Sequence, residues 1–307
     1  MAENFAAIDC GTNSIRLLVC RRESGRIVEV DRRLQLTRLG QGVDATGVFH
    51  PDALARTLAA LTDFGAELDR LDVRHRRVVA TSAARDAANS AAFFDGVRKR
   101  LGVEAEIIPG EEEARLSYAG AVSALPNLPQ PVLVMDIGGG STELVLGADG
   151  VASRAISLDI GSVRLRERFL HSDPPLAAEV TAASTRIDGL LDGAGIDLAT
   201  VATWVGVGGT ATSLSALAQR LPAYDRRLVH GSVLTRPDLA ELTARLLRMP
   251  VAEVTELPTM VPGRADVICA GALVCDRIGH RVPTDLTVSE ADILDGIILG
   301  LVAGAVM

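Results

Sequence analysis

The chain has 307 residues, 48% of them hydrophobic and 3% aromatic, with 31 Lys+Arg against 39 Asp+Glu and a net charge of −8. Apolar content at this level offsets the entropy of ordering, so a largely disordered chain is excluded, and the length suits two domains, each with its own core. The acidic balance argues against general binding to nucleic acid or to an anionic membrane, but leaves small polyanions as ligands of a local basic site.

Met1 to Cys10 has neither the basic flank nor the long apolar stretch of a secretory signal, so a cytoplasmic protein is expected. Phe5 to Asp9 is a short apolar strand, Cys10 to Ser14 a tight turn, and Ile15 to Cys20 a second strand. Arg26 to Leu36 reads as a third strand, and Pro51 to Leu68 as a helix opened by its proline. Val78 to Ala80 is a strand running into Thr81-Ser82-Ala83-Ala84-Arg85. A helix over Ala91 to Leu101, a strand over Glu106 to Ile108 and a helix over Glu111 to Leu125 complete a mixed α/β unit. Three prolines between Pro126 and Pro131 mark the boundary, giving domains 1–125 and 126–292.

The second unit opens as the first did. Val132 to Asp136, the glycine turn Ile137 to Thr142 and Glu143 to Leu146 repeat the order of apolar run, Asp, Gly turn and apolar run, which suggests an internal duplication. A third glycine turn, Val205 to Thr210, precedes a helical stretch from Ala211 to Arg220. Helices are expected over Pro237 to Arg248, Ala265 to Ile278 and Ala291 to Val302. The apolar run Gly296 to Met307 is too short to span a bilayer and reads as a buried terminal helix. Cys10, Cys20, Cys269 and Cys275 have no zinc or disulfide spacing and read as core residues.

Two turns carry candidate chemistry, Asp9-Cys10-Gly11-Thr12-Asn13-Ser14 and Asp136-Ile137-Gly138-Gly139-Gly140-Ser141-Thr142. Each puts an Asp at the end of a buried strand, followed by residues able to turn tightly, with hydroxyls beyond. Such turns can aim backbone amides at phosphate oxygens while the Asp holds a divalent cation or its water shell. Any one of them alone is better read as an ordinary hairpin turn. The recurrence of the pattern, with Gly208, Gly209 and Thr210 as a third instance, favours phosphate loops that clamp a polyphosphate.

Glu111, Glu112 and Glu113 open a helix, where carboxylates complement the helix dipole and Glu111 can pair with Arg115. Successive helical residues point about 100° apart, so one of the three can instead face a cleft and deprotonate water. The residues alone leave base and cap equally open. Arg85, directly after a buried strand, is the arginine best placed for a phosphate. The five histidines lie far apart, and neither a Gly-x-Ser-x-Gly elbow nor a Walker A loop is present, which argues against metal-histidine, serine and P-loop hydrolases.

Together, Asp9 to Ser14, Ala80 to Arg85, Gly110 to Arg115, Asp136 to Glu143, Gly206 to Thr210 and Pro262-Gly263-Arg264-Ala265-Asp266 resemble the exopolyphosphatase / guanosine pentaphosphate phosphohydrolase family, in order and over nearly the whole chain. The resemblance implies an α/β fold of two actin-like (ribonuclease H-like) domains with the site in the cleft between them, and a terminal helix, 293–307, packed back onto the first. It implies Glu113 as the water-activating residue, Arg85 as a phosphate-binding arginine, and the glycine turns as phosphate loops. Asp136 and Glu143, with Glu113, would serve Mg2+, with Mn2+ as a substitute.

The implied reaction is Mg2+-dependent hydrolysis of the terminal phosphoanhydride of inorganic polyphosphate, with guanosine pentaphosphate (pppGpp) as the alternative substrate. A small-molecule kinase and a non-catalytic polyphosphate or nucleotide sensor are the rival classes that the same fold allows. Long members of the family continue into helical domains with an HD-type module. Here the sequence ends at Met307 without a His-Asp dipeptide, so a homodimer and limited processivity of the monomer on long polyphosphate are expected.

Overall fold

The computed structural model describes residues 3–305. Among them, eleven strands form two mixed sheets. The first contains β1 (Glu3–Cys10), β2 (Ser14–Glu23), β3 (Arg26–Leu36), β4 (His75–Ala80) and β5 (Ala105–Ile107), in the order β3-β2-β1-β4-β5. The second contains β6 (Val132–Ile137), β7 (Thr142–Ala148), β8 (Val151–Leu158), β9 (Thr203–Val207), β10 (Val233–Leu234) and β11 (Leu286–Val288), in the order β10-β11-β9-β6-β7-β8.

In each sheet a three-stranded antiparallel meander is extended in parallel from its first member, by β4 on β1 and β5 on β4, and by β9 on β6 and β11 on β9. Read as β8-β7-β6-β9-β11, the second sheet has the order and strand senses of the first, with β10 added antiparallel at its edge. The duplication suggested by two Asp-containing turns is therefore a duplication of the ribonuclease H-like sheet, and the fold is α/β.

The chain divides into two compact units, one formed by residues up to Leu116 together with those from Ile293 onward, the other by Ser117–Asp292. The division falls within the helix Gly110–Ala124, nine residues before the boundary expected at the prolines, because that helix runs uninterrupted past the end of the first unit.

In the first unit β1 and β2 are buried on both faces, which is why they read as apolar runs rather than alternations. Ala6, Ile8 and Cys10 with Ile15, Leu17 and Val19 face a core shared with the helices Pro51–Arg70 and Ala91–Leu101. Phe5, Ala7, Leu18, Cys20 and Val79 face Ile293, Leu294, Ile297 and Ile298 of the helix Ile293–Gly304. That last helix therefore belongs to the first unit. In the second unit Leu133, Met135 and Leu144 of the sheet, Trp204, and the helix Ile268–Gly279 share one core.

Two of the elements that were not legible lie between 151 and 192. Half of the residues of β8 are exposed, and the helix Ala177–Asp192 is alanine-rich, burying only Ala183, Ile187 and Leu191 along one stripe. Neither presents the apolar density that marked the other elements.

Candidate active site

The parallel strands of each sheet bring the candidate residues to one end, outside the carboxyl ends of those strands, where open α/β sheets bind ligands. In the first unit β1 ends at the turn 11–14, β4 runs into the helix Ser82–Asp86 carrying Arg85, and β5 leads through Pro109 to the helix carrying Glu113. Thr81 N–H donates to Cys10 O at 3.3 Å, tying the second of these connections to the first.

Arg85 Nη1 donates to Glu113 Oε2 at 2.9 Å and to Ile108 O at 2.8 Å, with the two side chains 23% and 13% exposed. The structure thus joins the two residues assigned to catalysis. It also separates the three glutamates. Glu111 pairs with Arg115 across one helical turn at 3.4 Å in solvent, and Glu112 pairs with Arg77 at 2.7 Å. Glu113 alone turns inward, as the 100° step between helical residues requires.

The two hairpin turns have the same geometry. Gly11 N–H donates to Ser14 O at 3.0 Å, and Gly138 N–H donates to Ser141 O at 3.0 Å. Each turn is backed by a second segment that sequence reading did not single out. Behind the first, Gly40 N–H donates to Thr12 O and Arg38 N–H to Asn13 O, and a Cβ at Gly40 would strike Thr12. Behind the second, Ser162 N–H donates to Gly138 O, and Val163 and Arg164 N–H donate to Gly139 O, while a Cβ at Gly161 would strike Gly139 and Gly140. The turn carbonyls are thereby engaged within the protein, and the Gly-Ser pair at 161–162 was the available signal.

Asp9 and Asp136 occupy equivalent places but meet opposite partners. Asp9 lies across the antiparallel pair from Arg16, whose Nε and Nη2 donate to Asp9 Oδ2 at 3.0 and 2.6 Å. Asp136 lies across from Glu143, so two carboxylates, 9% and 2% exposed, share one face of the sheet. Ser117 Oγ donates to Asp136 Oδ2 at 2.8 Å and Ser157 Oγ to Glu143 Oε1 at 2.7 Å. Neither serine stood out in the sequence.

A buried carboxylate pair with hydroxyl support is a donor set that suits a hard divalent cation, which takes oxygen ligands and is commonly held by one or two carboxylates plus substrate phosphates. Among the described residues no group of three or more His, Cys, Asp or Glu side chains is placed to hold a metal. Glu113 belongs to the first unit and is engaged by Arg85, whereas Asp136 and Glu143 belong to the second.

The third candidate segment corrects an expectation. Gly208, Gly209 and Thr210 are not a turn before a helix but the first turn of the helix Gly208–Ala218 itself, so their amides are the unsatisfied donors of a helix N-terminus. Gly208 has φ 75°, and a Cβ there would lie 2.6 Å from Asp136 Oδ1, so only glycine lets that helix start against the carboxylate. Arg264 Nη1 donates to Gly209 O at 3.1 Å and to Ser213 Oγ at 2.8 Å.

Two of the hydroxyls expected near phosphate give their protons to backbone carbonyls. Thr142 is fully buried, and its Oγ1 donates to Ile160 O at 2.5 Å; Thr210 Oγ1 donates to Ile137 O at 3.2 Å. Both hold strand ends in place because a buried hydroxyl must find a partner. Ser141 is buried as well, at 5% exposure. The four cysteines are buried, and burial raises the thiol of each; that of Cys20 is pushed up to about 12, with Asp295 adding to the effect. No described helix is long and apolar enough to cross a membrane.

Comparison with known proteins identifies the family. The model of the Ppx/GppA phosphatase family matches residues 18–303. The chain is 47% identical to "Exopolyphosphatase 2" of Mycobacterium tuberculosis over 96% of its own length and 98% of that protein. The crystal structure of an exopolyphosphatase-like protein, 41% identical, matches with a TM-score of 0.93 over 97% of both chains. That of the Aquifex aeolicus Ppx/GppA family member, 31% identical, matches with a TM-score of 0.84 over 99% of both. With the family model matched over residues 18–303 and relatives similar over nearly the full length of both chains, the chain belongs to the Ppx/GppA phosphatase family.

Proposed function

We propose that the protein is an exopolyphosphatase that hydrolyses the terminal phosphoanhydride of inorganic polyphosphate and releases orthophosphate, using Mg2+. The observation that carries this reading is the Arg85–Glu113 pair at the carboxyl ends of the parallel strands, next to a hairpin turn suited to phosphate, in a chain 47% identical to a protein named Exopolyphosphatase 2. Phosphoryl transfer asks mainly for positioning and neutralisation of charge. In this reading the amides of the turn 11–14 in the first unit, and those of the turn 138–141 and of Gly208 and Gly209 in the second, are each suited to phosphate oxygens. Arg85 exchanges Glu113 for the terminal phosphoryl group, its planar fork matching two oxygens.

Glu113, released from the guanidinium, accepts a proton from water as the water oxygen bonds to phosphorus and the bridging oxygen leaves with the shortened chain. Asp136 and Glu143 would hold the cation, which when bound neutralises charge on the phosphate oxygens. The test is orthophosphate release from polyphosphate with and without Mg2+, for wild type and Glu113→Gln. Metal-dependent release lost in the variant supports the reading, and no release from wild type under any divalent metal overturns it. Guanosine pentaphosphate enters the same assay as the alternative substrate, since the family's name covers both activities. A cytoplasmic homodimer belongs to the proposal, and light scattering that gives a monomer would remove the dimer from it.

A further inference from the structure

Ser117 is 1% exposed, and its single hydroxyl proton is given to Asp136 Oδ2 at 2.8 Å. Helical serines commonly bond the carbonyl one turn back instead. Here that carbonyl would be that of Glu113, on the same helix, Gly110–Ala124. The helix is seated next to β7 by Tyr118, which is 2% exposed and lies so close to Gly147 that a Cβ there would come within 2.5 Å of the phenol oxygen. The other oxygen of Asp136, Oδ1, is bracketed by Gly208 at the start of the helix Gly208–Ala218. The carboxylate is thus gripped on one side by a hydroxyl and on the other by backbone.

We propose that Ser117 is a positioning residue that sets the orientation of the Asp136 carboxylate for the reaction. The proposal rests on the exopolyphosphatase reading and deepens it. Ser157, which bonds Glu143, is the informative contrast because it is exposed. Water can replace an exposed hydroxyl at little cost, whereas truncating a buried donor removes a hydrogen bond that solvent is not placed to restore.

The experiment compares wild type with Ser117→Ala, Ser157→Ala and Ser123→Ala, the last altering a hydroxyl that bonds only Gly120 O of the same helix. Four quantities are read: kcat and KM for polyphosphate, the Mg2+ midpoint, and the Asp136 side-chain orientation in a crystal structure of each protein. Ser117→Ala is expected to keep its fold, lose about tenfold or more in kcat with KM little changed, and show Asp136 rotated. Ser157→Ala should lose less, and Ser123→Ala nothing. Wild-type kcat and an unmoved Asp136 in folded Ser117→Ala would overturn the proposal. So would a loss of activity no larger than the loss of folded protein. Wild type inactive on polyphosphate would instead remove the functional reading, and the orientation of Asp136 would still decide the positioning claim.

Discussion

Glu113 and its two neighbours show how one helical step separates chemistry from solvation. Glu111 makes an exposed pair of the kind that contributes little and Glu112 a half-buried one with Arg77, while Glu113 faces Arg85 with 13% of its side chain exposed. Glu113→Gln is therefore expected to lower kcat for phosphate release by roughly 10²–10⁴-fold without altering thermal unfolding, and Glu111→Gln to leave it unchanged within error. Steady-state kinetics on folded variants checks both. Arg85→Lys is not a conservative change at such a site, because an ammonium cannot offer two parallel donors to one phosphoryl group. Its expected signature is a raised KM together with a reduced kcat. The cysteine thiols, raised by burial, should react with a thiol reagent only after denaturant is added, which absorbance during titration would report.

Turns and helix starts are where glycine is irreplaceable. Gly208→Ala meets two obstacles, a left-handed φ of 75° and a Cβ 2.6 Å from Asp136 Oδ1. The backbone conformation alone costs on the order of 1–2 kcal/mol for a residue with Cβ, and the clash must also push the helix start off the carboxylate. The expected outcome is a lowered unfolding temperature with a disproportionate loss of phosphate release. Gly161→Ala has ordinary backbone torsions, yet its Cβ would strike the turn at Gly139 and Gly140, so it too should cost activity. Gly300→Ala, inside the helix Ile293–Gly304 with nothing near its Cβ, is the control and should keep phosphate release while raising the unfolding temperature slightly, as alanine does for glycine in a helix.

The two sheets show how far a fold can depend on a distant stretch of chain. Ile293, Leu294, Ile297 and Ile298 cover the face of the first sheet made by Phe5, Ala7, Leu18 and Val79. Burying four such side chains contributes about 6–12 kcal/mol by area, comparable with the whole stability of a typical domain. A chain ended at Asp292 is expected to lose cooperative unfolding of the first unit and to expose apolar surface, which dye binding and circular dichroism would detect.

Acid sensitivity is expected from carboxyls held low in the folded state. The Glu179 carboxyl is lowered by the Leu176 amide, against the opposing effect of burial, with Ser172 and His171 adding to the lowering. For Asp188 burial acts upward, and Arg277 and Arg281 outweigh it. A depressed folded value gives stability that is present above the unfolded value and lost as pH falls through the folded one, roughly from pH 5 downward. Glu179→Gln should flatten that acid limb in denaturant melts, and an unchanged limb would contradict the assignment.

Duplicated Asp-containing turns, the period of the apolar residues and the terminal apolar run were readable from order along the chain, because strand ends and tight turns leave local signatures in residue type. The α/β class, the Gly110–Ala124 helix and the inward role of Glu113 followed from those signatures together with the family resemblance. What packing added is of another kind. That Thr142 and Thr210 support strands while Ser117 and Ser157 reach carboxylates depends on which buried polar groups meet across the sheet, and such partners lie up to 73 residues apart. That Asp9 faces an arginine where Asp136 faces a glutamate follows from strand register. A register is set by the three-dimensional pairing of two strands, so a chemical difference between two alike turns becomes visible only once the chain is folded.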